Sequence, residues 1–120
     1  MQKMKVKKPW GTYEVLLDEP NYKVKRIVVH PYARFSLQYH KLREEHWVIV
    51  VGDGIVQVNQ KEYPASVRSH WVILPRELHR APAGPNGLVF IETQTGDCRE
   101  EDIIRLEDDY GRLDSDVVSV

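Results

Sequence analysis

The feature that most constrains this chain is its punctuation. Short runs rich in β-branched and aromatic residues are closed, one after another, by glycine, proline, asparagine or aspartate. Tyr13–Leu17 lies between Gly11 and the cluster Asp18-Glu19-Pro20-Asn21, and Tyr22–Val29 ends at His30-Pro31. Arg34–His40 alternates, Lys41–Glu44 is mostly polar, and Glu45–Val51 stops at Gly52-Asp53-Gly54. Asp-Gly between two such runs is a strong hairpin signal, so Ile55–Asn59 is expected to fold back on Glu45–Val51 there. Ser66–Val67, His70–Leu74 and Leu88–Thr95 continue the pattern, the last entered from Ala83-Gly84-Pro85-Asn86-Gly87. Proline and glycine are expected in the connections, where no ladder hydrogen bond is lost. Strands at this spacing, without an intervening helical period, predict an all-β sandwich or barrel.

With 120 residues the chain suits one domain and leaves no room for two, read as residues 1–120 with a core over about 9–96. The remainder, 97–120, reads as an arm rich in Glu100, Glu101, Asp102, Glu107, Asp108, Asp109, Asp114 and Asp116. Ile103, Ile104 and Leu106 could seat a short helix or strand against the barrel; otherwise the arm is solvated and frayed. Lys+Arg 17 against Asp+Glu 18 leaves a net charge of −1, which argues against a nucleic-acid or polybasic membrane surface. No apolar run reaches the roughly 18–20 residues of a spanning helix. The basic start MQKMKVKKPWG has no apolar segment behind it, so a signal peptide is not expected. A single cysteine, Cys98, can form no internal disulfide and suits a reducing cytoplasm.

Two neighbouring segments concentrate polar groups. In an extended strand Arg34, Ser36, Gln38 and His40 share one face, with Phe35, Leu37 and Tyr39 on the other. Glu45, Trp47, Ile49 and Val51 share a face of the next strand, and His46, Val48 and Val50 the opposite one. Both faces are largely apolar, so that strand is expected to be central, and a carboxylate on it needs a partner. A metal ion is one such partner. Leu74-Pro75-Arg76-Glu77-Leu78-His79-Arg80 adds another histidine. Histidine, carboxylate and amide oxygen together suit Zn, Mn, Fe, Co or Mg. The residue types alone leave open that these are core histidines and a solvent-facing strand.

The spacing resembles the cupin superfamily. His40, four intervening residues, Glu45, six more and Gly52 match the back half of the first cupin motif, with Gln38 in the first histidine position. The second motif is partly kept: Pro75 and His79 stand one residue closer than usual, no glycine lies between them, and Ala83 replaces asparagine. The resemblance implies a double-stranded β-helix, or jelly-roll barrel, holding one divalent ion on Gln38, His40, Glu45 and His79.

A narrower likeness covers the chain from Pro9 to Arg112. Pro9-Trp-Gly-x-Tyr13, Ser36-Leu-Gln-x-His40, Glu45-His-Trp-Val48, Ile91-Glu-x-Gln-Thr-Gly96 and Arg105-x-Glu-Asp-x-Tyr-Gly-Arg112 resemble the type II phosphomannose isomerase domain. That domain usually ends bifunctional enzymes whose larger part makes GDP-mannose, and no Gly-rich nucleotidyltransferase motif stands here. The resemblance implies interconversion of mannose 6-phosphate and fructose 6-phosphate through a cis-enediol. It places Arg105 and Arg112 in catalysis and Tyr110 at the substrate. Arg34 is a further substrate-binding candidate, since it shares a strand face with Gln38 and His40. Glu92 and Gln94 share one face of a late strand and could look into the barrel, as could Lys25 from an early one, which makes them candidates for substrate binding and for the proton shuttle. His46, of opposite parity to Glu45, is expected to be structural, and Arg80 to point away from His79. Trp10, Trp47 and Trp71 are expected in the core or a subunit contact, Trp47 also as a pocket wall. A homodimer acting on a small sugar phosphate is expected. The alternatives are a non-catalytic sugar-phosphate-binding module serving a separate nucleotidyltransferase, and another metal-dependent cupin activity.

Overall fold

A computed structural model describes residues 4–113; the end of the acidic arm, including Asp114 and Asp116, lies outside the described residues. These form β1 (Met4–Lys8), β2 (Gly11–Glu19), β3 (Tyr22–Val29), β4 (Leu37–Tyr39), β5 (Arg43–Val58), β6 (Lys61–Ala65), β7 (His70–Ile73), β8 (His79–Arg80), β9 (Ala83–Gly96) and β10 (Ile104–Glu107). No helix occurs among the described residues, and none is long and apolar enough to cross a membrane. All ten strands join one sheet in the order β1-β2-β3-β9-β5-β8-β4-β10, with β6 and β7 also on β5, and every pairing is antiparallel.

The sheet closes because β5 bends. Its first part pairs β9 and β7, while its last residues pair β6 and β8. The register slips between Ile49 and Val51 and again between Gly52 and Gly54. Each slip is a bulge that bends the strand and adds twist. Gly52 takes φ +84, and a Cβ there would run into the Gly87 carbonyl oxygen. The hairpin expected at Asp53-Gly54 is therefore not formed. The chain continues through it and reverses at Asn59-Gln60, with Asn59 at φ 55, where β6 begins. Asp-Gly supplies the left-handed freedom of a turn, but a strand already paired on both sides uses that freedom to bend.

Other boundaries moved. The strand expected over Arg34–His40 is only Leu37–Tyr39, so parity does not extend back to Arg34. Ser66–Val67 is part of a turn region rather than a strand. Proline does enter strands: Pro64 lies in β6 and Pro85 near the start of β9. β1, unexpected in so lysine-rich a segment, pairs β2. Of the two readings of the arm, the strand holds: Ile104–Glu107 pairs β4.

The interior is ordered in rungs. Ile27, Phe90 and Ile49 are partners across β3, β9 and β5, and Lys25, Glu92 and Trp47 form the next inward rung. Lys23, Gln94 and Glu45 form the one after. All nine side chains are buried. Below them, Val29, Leu88, Val56 and Ile73 complete an apolar core in which Trp47 stacks on Phe90 at 4.5 Å and Phe35 meets Trp10 edge-on at 5.4 Å. Trp71 is only half-buried, against Tyr63.

Candidate metal centre and cavity

Where the inward stripe turns polar, a cavity of about 160 Å³ opens. Gln38 and His40 reach it from β4 and the turn after it, Glu45 and Arg43 from β5, and Glu92 from β9. His79, on β8, lies immediately behind, because β8 pairs β4 at Gln38 and β5 at Val58. The ligand atoms of His40, Glu45 and His79 lie within 4.8 Å of one another, and all three residues are buried. Gln38 pairs directly with His79, and its Oε1 accepts a 2.6 Å hydrogen bond from Ser36.

The donor set suits a cation. Glu45 is 2% exposed, with Oε1 accepting from the Trp47 indole at 2.9 Å and Oε2 from Arg43 Nε at 2.8 Å. His40 Nδ1 stands 3.3 Å from Oε2 and His79 Nε2 3.8 Å from Oε1. His79 Nδ1 meets the Glu77 carbonyl at 2.9 Å, which fixes its proton there and leaves Nε2 an acceptor. That Nε2 is buried and has no hydrogen-bond partner among the described residues. A buried lone pair aimed at a carboxylate oxygen is costly without a proton or metal between them. A divalent ion satisfies both, so the residues fit one.

Protonation agrees. Burial pushes His40 down to about 3 and also lowers His79. Burial works against the charge of Glu45, yet His79, His40, Arg43 and the Trp47 hydrogen bond hold it below the usual carboxylate range. Glu92 takes the other side of this repulsion: burial and then Glu45 push it up to about 7, against Lys25, Arg43 and a 2.9 Å bond from Gln94.

The acidic arm covers this polar end. Glu100 meets Lys25 at 2.7 Å and Lys23 at 3.1 Å, while Asp102 accepts from the Lys41 and Leu42 amides at 3.0 and 2.9 Å. Arg105 pairs with Gln38 across β10 and β4, and Arg105 and Arg112 both line the cavity. Lys8 joins them from β1. Burial, and then the like charges of Arg112, Arg105 and Lys25, hold it below the usual lysine range.

Of the residues singled out in the sequence, Gln38, His40, Glu45, Glu92, Arg105 and Arg112 thus reach one cavity, with His79 and Gln94 buried against it. Arg34 does not. It pairs with Asp109 through two bonds of 2.8 and 2.9 Å and lines a separate surface depression. Tyr110 packs on the core and carries Arg112 over its ring at 5.7 Å, without lining the cavity. His46 faces outward onto Glu44 and Arg80 faces away from the cluster onto Glu107, as their parity requires. Arg43 and Lys8 were missed. Arg43 could have been found, since it stands two residues before Glu45 on the same face.

A curled antiparallel barrel with a His–Glu–His cluster buried inside it makes this protein a cupin. The chain belongs to the family described as mannose-6-phosphate isomerase C-terminal, whose profile matches residues 1–108. It is 40% identical over 107 residues to a mannose-1-phosphate guanylyltransferase of Escherichia coli, covering 88% of this chain and 23% of that protein. The alginate biosynthesis protein AlgA of Pseudomonas aeruginosa is 40% identical over 109 residues, covering 89% and 23%. The chain therefore spans about a quarter of the length of these relatives. Among solved structures it is similar to the Staphylococcus aureus capsular polysaccharide assembling protein CapF (TM-score 0.79, 17% identity, 89% of this chain and 33% of that one). It is also similar to an RmlC-like cupin from Shewanella frigidimarina (TM-score 0.74, 19% identity, 83% and 88%). At such identities these two structures speak for the fold alone.

Proposed function

We propose that the cavity isomerises mannose 6-phosphate and fructose 6-phosphate through a cis-enediol. The observation that carries this reading is the charge of the lining: Lys8, Lys25, Arg43, Arg105 and Arg112 face Glu45, Glu92 and Glu100, beside a buried donor set for a divalent ion. A cationic surplus suits a phosphate dianion, and forked guanidinium groups match its oxygens. Membership of the isomerase-domain family supports the same substrate class.

Gln38, His40, Glu45 and His79 would hold the ion (Zn, Mn, Co, Fe or Mg), which supplies Lewis acidity at the sugar oxygens where enediolate charge develops. Arg105 and Arg112, with Lys8, bind and orient the phosphate. Glu92 is suited to carry the proton between C2 and C1, because its buried carboxyl lines the cavity and burial beside Glu45 favours its protonated form over that of an ordinary carboxylate. Gln94 holds that carboxyl in place from the next inward position. The arm, tied down by Glu100 and Asp102, restricts water at the mouth. Arg34 and Tyr110 act on the arm rather than on the substrate. The protein works in the cytoplasm, consistent with a free Cys98, and as a homodimer, for which the exposed Val48, Val50 and Val72 on the outer face of β5 and β7 are the supporting feature.

The test is a coupled assay on the metal-stripped protein, given mannose 6-phosphate and resupplied with Mn, Co, Zn or Mg in turn. Metal-dependent fructose 6-phosphate is the expected product. Bound metal and a folded chain without turnover for any ion would replace this reading with the non-catalytic sugar-phosphate module.

A further inference from the structure

The guanidinium of Arg43 lies inside the candidate metal cluster rather than beside it. Its side chain is 5% exposed. Nε donates to Glu45 Oε2 at 2.8 Å, one terminal nitrogen to His40 Nε2 at 2.9 Å, and the other to the Arg99 carbonyl at 3.4 Å. An arginine nitrogen can only donate. His40 Nε2 must therefore be the acceptor, which puts the proton of the neutral ring on Nδ1, 3.3 Å from Glu45 Oε2.

The two histidines of the cluster are consequently in different states. His79 offers an Nε2 lone pair that no group among the described residues uses. His40 has none to give: one nitrogen carries the proton and the other is engaged by Arg43. For an ion to bind His40 Nε2, it must take the lone pair from Arg43. For it to bind Nδ1, the proton must move to Nε2, where it would face an arginine N–H. Arg43 has to leave His40 either way. Glu45 gives the same answer, since an incoming dication shares its carboxylate with a guanidinium already in contact.

We infer that Arg43 is the resident cation of this site, holding His40 and Glu45 in register until a metal ion displaces it, and that it thereby sets the affinity for the metal. The inference rests on the metal-site reading above. It makes Arg43 a positioning residue with an unusual sign. A scaffold that merely steadied Glu45 would be needed for tight binding, whereas a competitor weakens it. Two cations a few ångströms apart in a poorly solvated site repel strongly enough to change an equilibrium by about tenfold or more.

The experiment is calorimetric titration of the metal-stripped chain with Zn²⁺ and with Mn²⁺, for wild type, Arg43→Gln and His40→Ala. Arg43→Gln is expected to bind about tenfold more tightly than wild type, and His40→Ala to lose the ion. Equal or weaker binding by Arg43→Gln, with binding still dependent on His40, overturns the inference and leaves the metal site standing. A wild-type chain that takes up neither ion overturns both. If Arg43→Gln does not fold, wild type alone decides. The Arg43 Nε–H signal, assigned by comparison with Arg43→Lys, is expected to shift and lose its exchange protection at saturating Zn²⁺. An unchanged, protected signal overturns the displacement.

Discussion

The two ends of the barrel are built on the same three strands and do opposite things. Toward one end the inward positions are Ile27, Ile49 and Phe90, then Val29 and Leu88; toward the other they are Lys25, Glu92 and Trp47, then Lys23, Gln94 and Glu45. The apolar end is stabilised by area removed from water and by close packing. Burial at the polar end is costly and is offset only by partners: Glu100 for the lysines, Arg43 and Trp47 for Glu45, Gln94 for Glu92. One alternating strand pattern thus builds a core and a site by changing residue class halfway along. Trp47 spans the two, with its ring on Phe90 and its N–H on Glu45.

If that division is right, substitutions one rung apart have different phenotypes. The largest effect is expected for Glu45→Gln, which removes the charged member of the cluster: metal uptake measured by elemental analysis falls to background, and turnover falls with it. Retained stoichiometric metal would break the assignment of the polar end. Phe90→Ala comes next and hits the other property. Truncating a fully buried aromatic ring is expected to cost about 3–5 kcal/mol in urea denaturation, while the refolded fraction still binds metal.

The sequence makes much of the polar end legible. Tyr22–Val29 forms a strand with the bounds its punctuation predicts, and the spacing from His40 to Glu45 brings both to one cluster with the distant His79. The failures have physical causes. Asp53-Gly54 signals a turn only locally, and the pairing of β5 with β9 on either side of it overrides that signal. Strand parity does not reach Arg34, because residues 34–36 are not part of the strand. Lys8 was missed because Lys5, Lys7 and Lys8 look like a solvated leader, and only the pairing of β1 with β2 turns Lys8 toward the cavity. Arg43 is hidden in the sequence by its polar neighbours Lys41 and Glu44, which read as a connection although β5 already begins at Arg43.

Within the polar end, phosphate anchors and fold supports should also separate. Arg105→Ala and Lys8→Ala are each expected to lower kcat/KM for the phosphorylated sugar by about 10–100-fold, the worth of a charge-assisted hydrogen bond. Metal content should stay at the wild-type level, and stability should change by less than about 1 kcal/mol. Wild-type kinetics in either variant would remove that residue from the proposed site. A large loss of stability would instead move it to the arm's attachment.

The smallest effect, and the one that sharpens the comparison most, is on stability against pH in metal-free protein. Glu92 titrates at about 7 in the folded chain and near the ordinary glutamate value of about 4.3 once unfolded. Between those values the folded state keeps a proton that the unfolded state has released, so Glu92 makes stability fall as pH rises, levelling off above about 7. His40 and His79 act in the opposite direction. Their imidazoles are depressed by burial, so the unfolded chain gains protons below about 6.5 that the folded chain refuses, and stability falls as pH drops. The two slopes oppose each other over part of one window, and the wild-type curve alone cannot separate them. Glu92→Gln leaves only the histidine slope. Urea denaturation of both proteins from pH 5 to 8 should therefore show the stability of wild type relative to Glu92→Gln declining by something on the order of 2 kcal/mol as pH rises. A flat difference would mean that Lys25 and Arg43 keep Glu92 ionised throughout. The polar end would then be a set of paired ions with no held proton, and the proton transfer assigned to Glu92 would lose its basis.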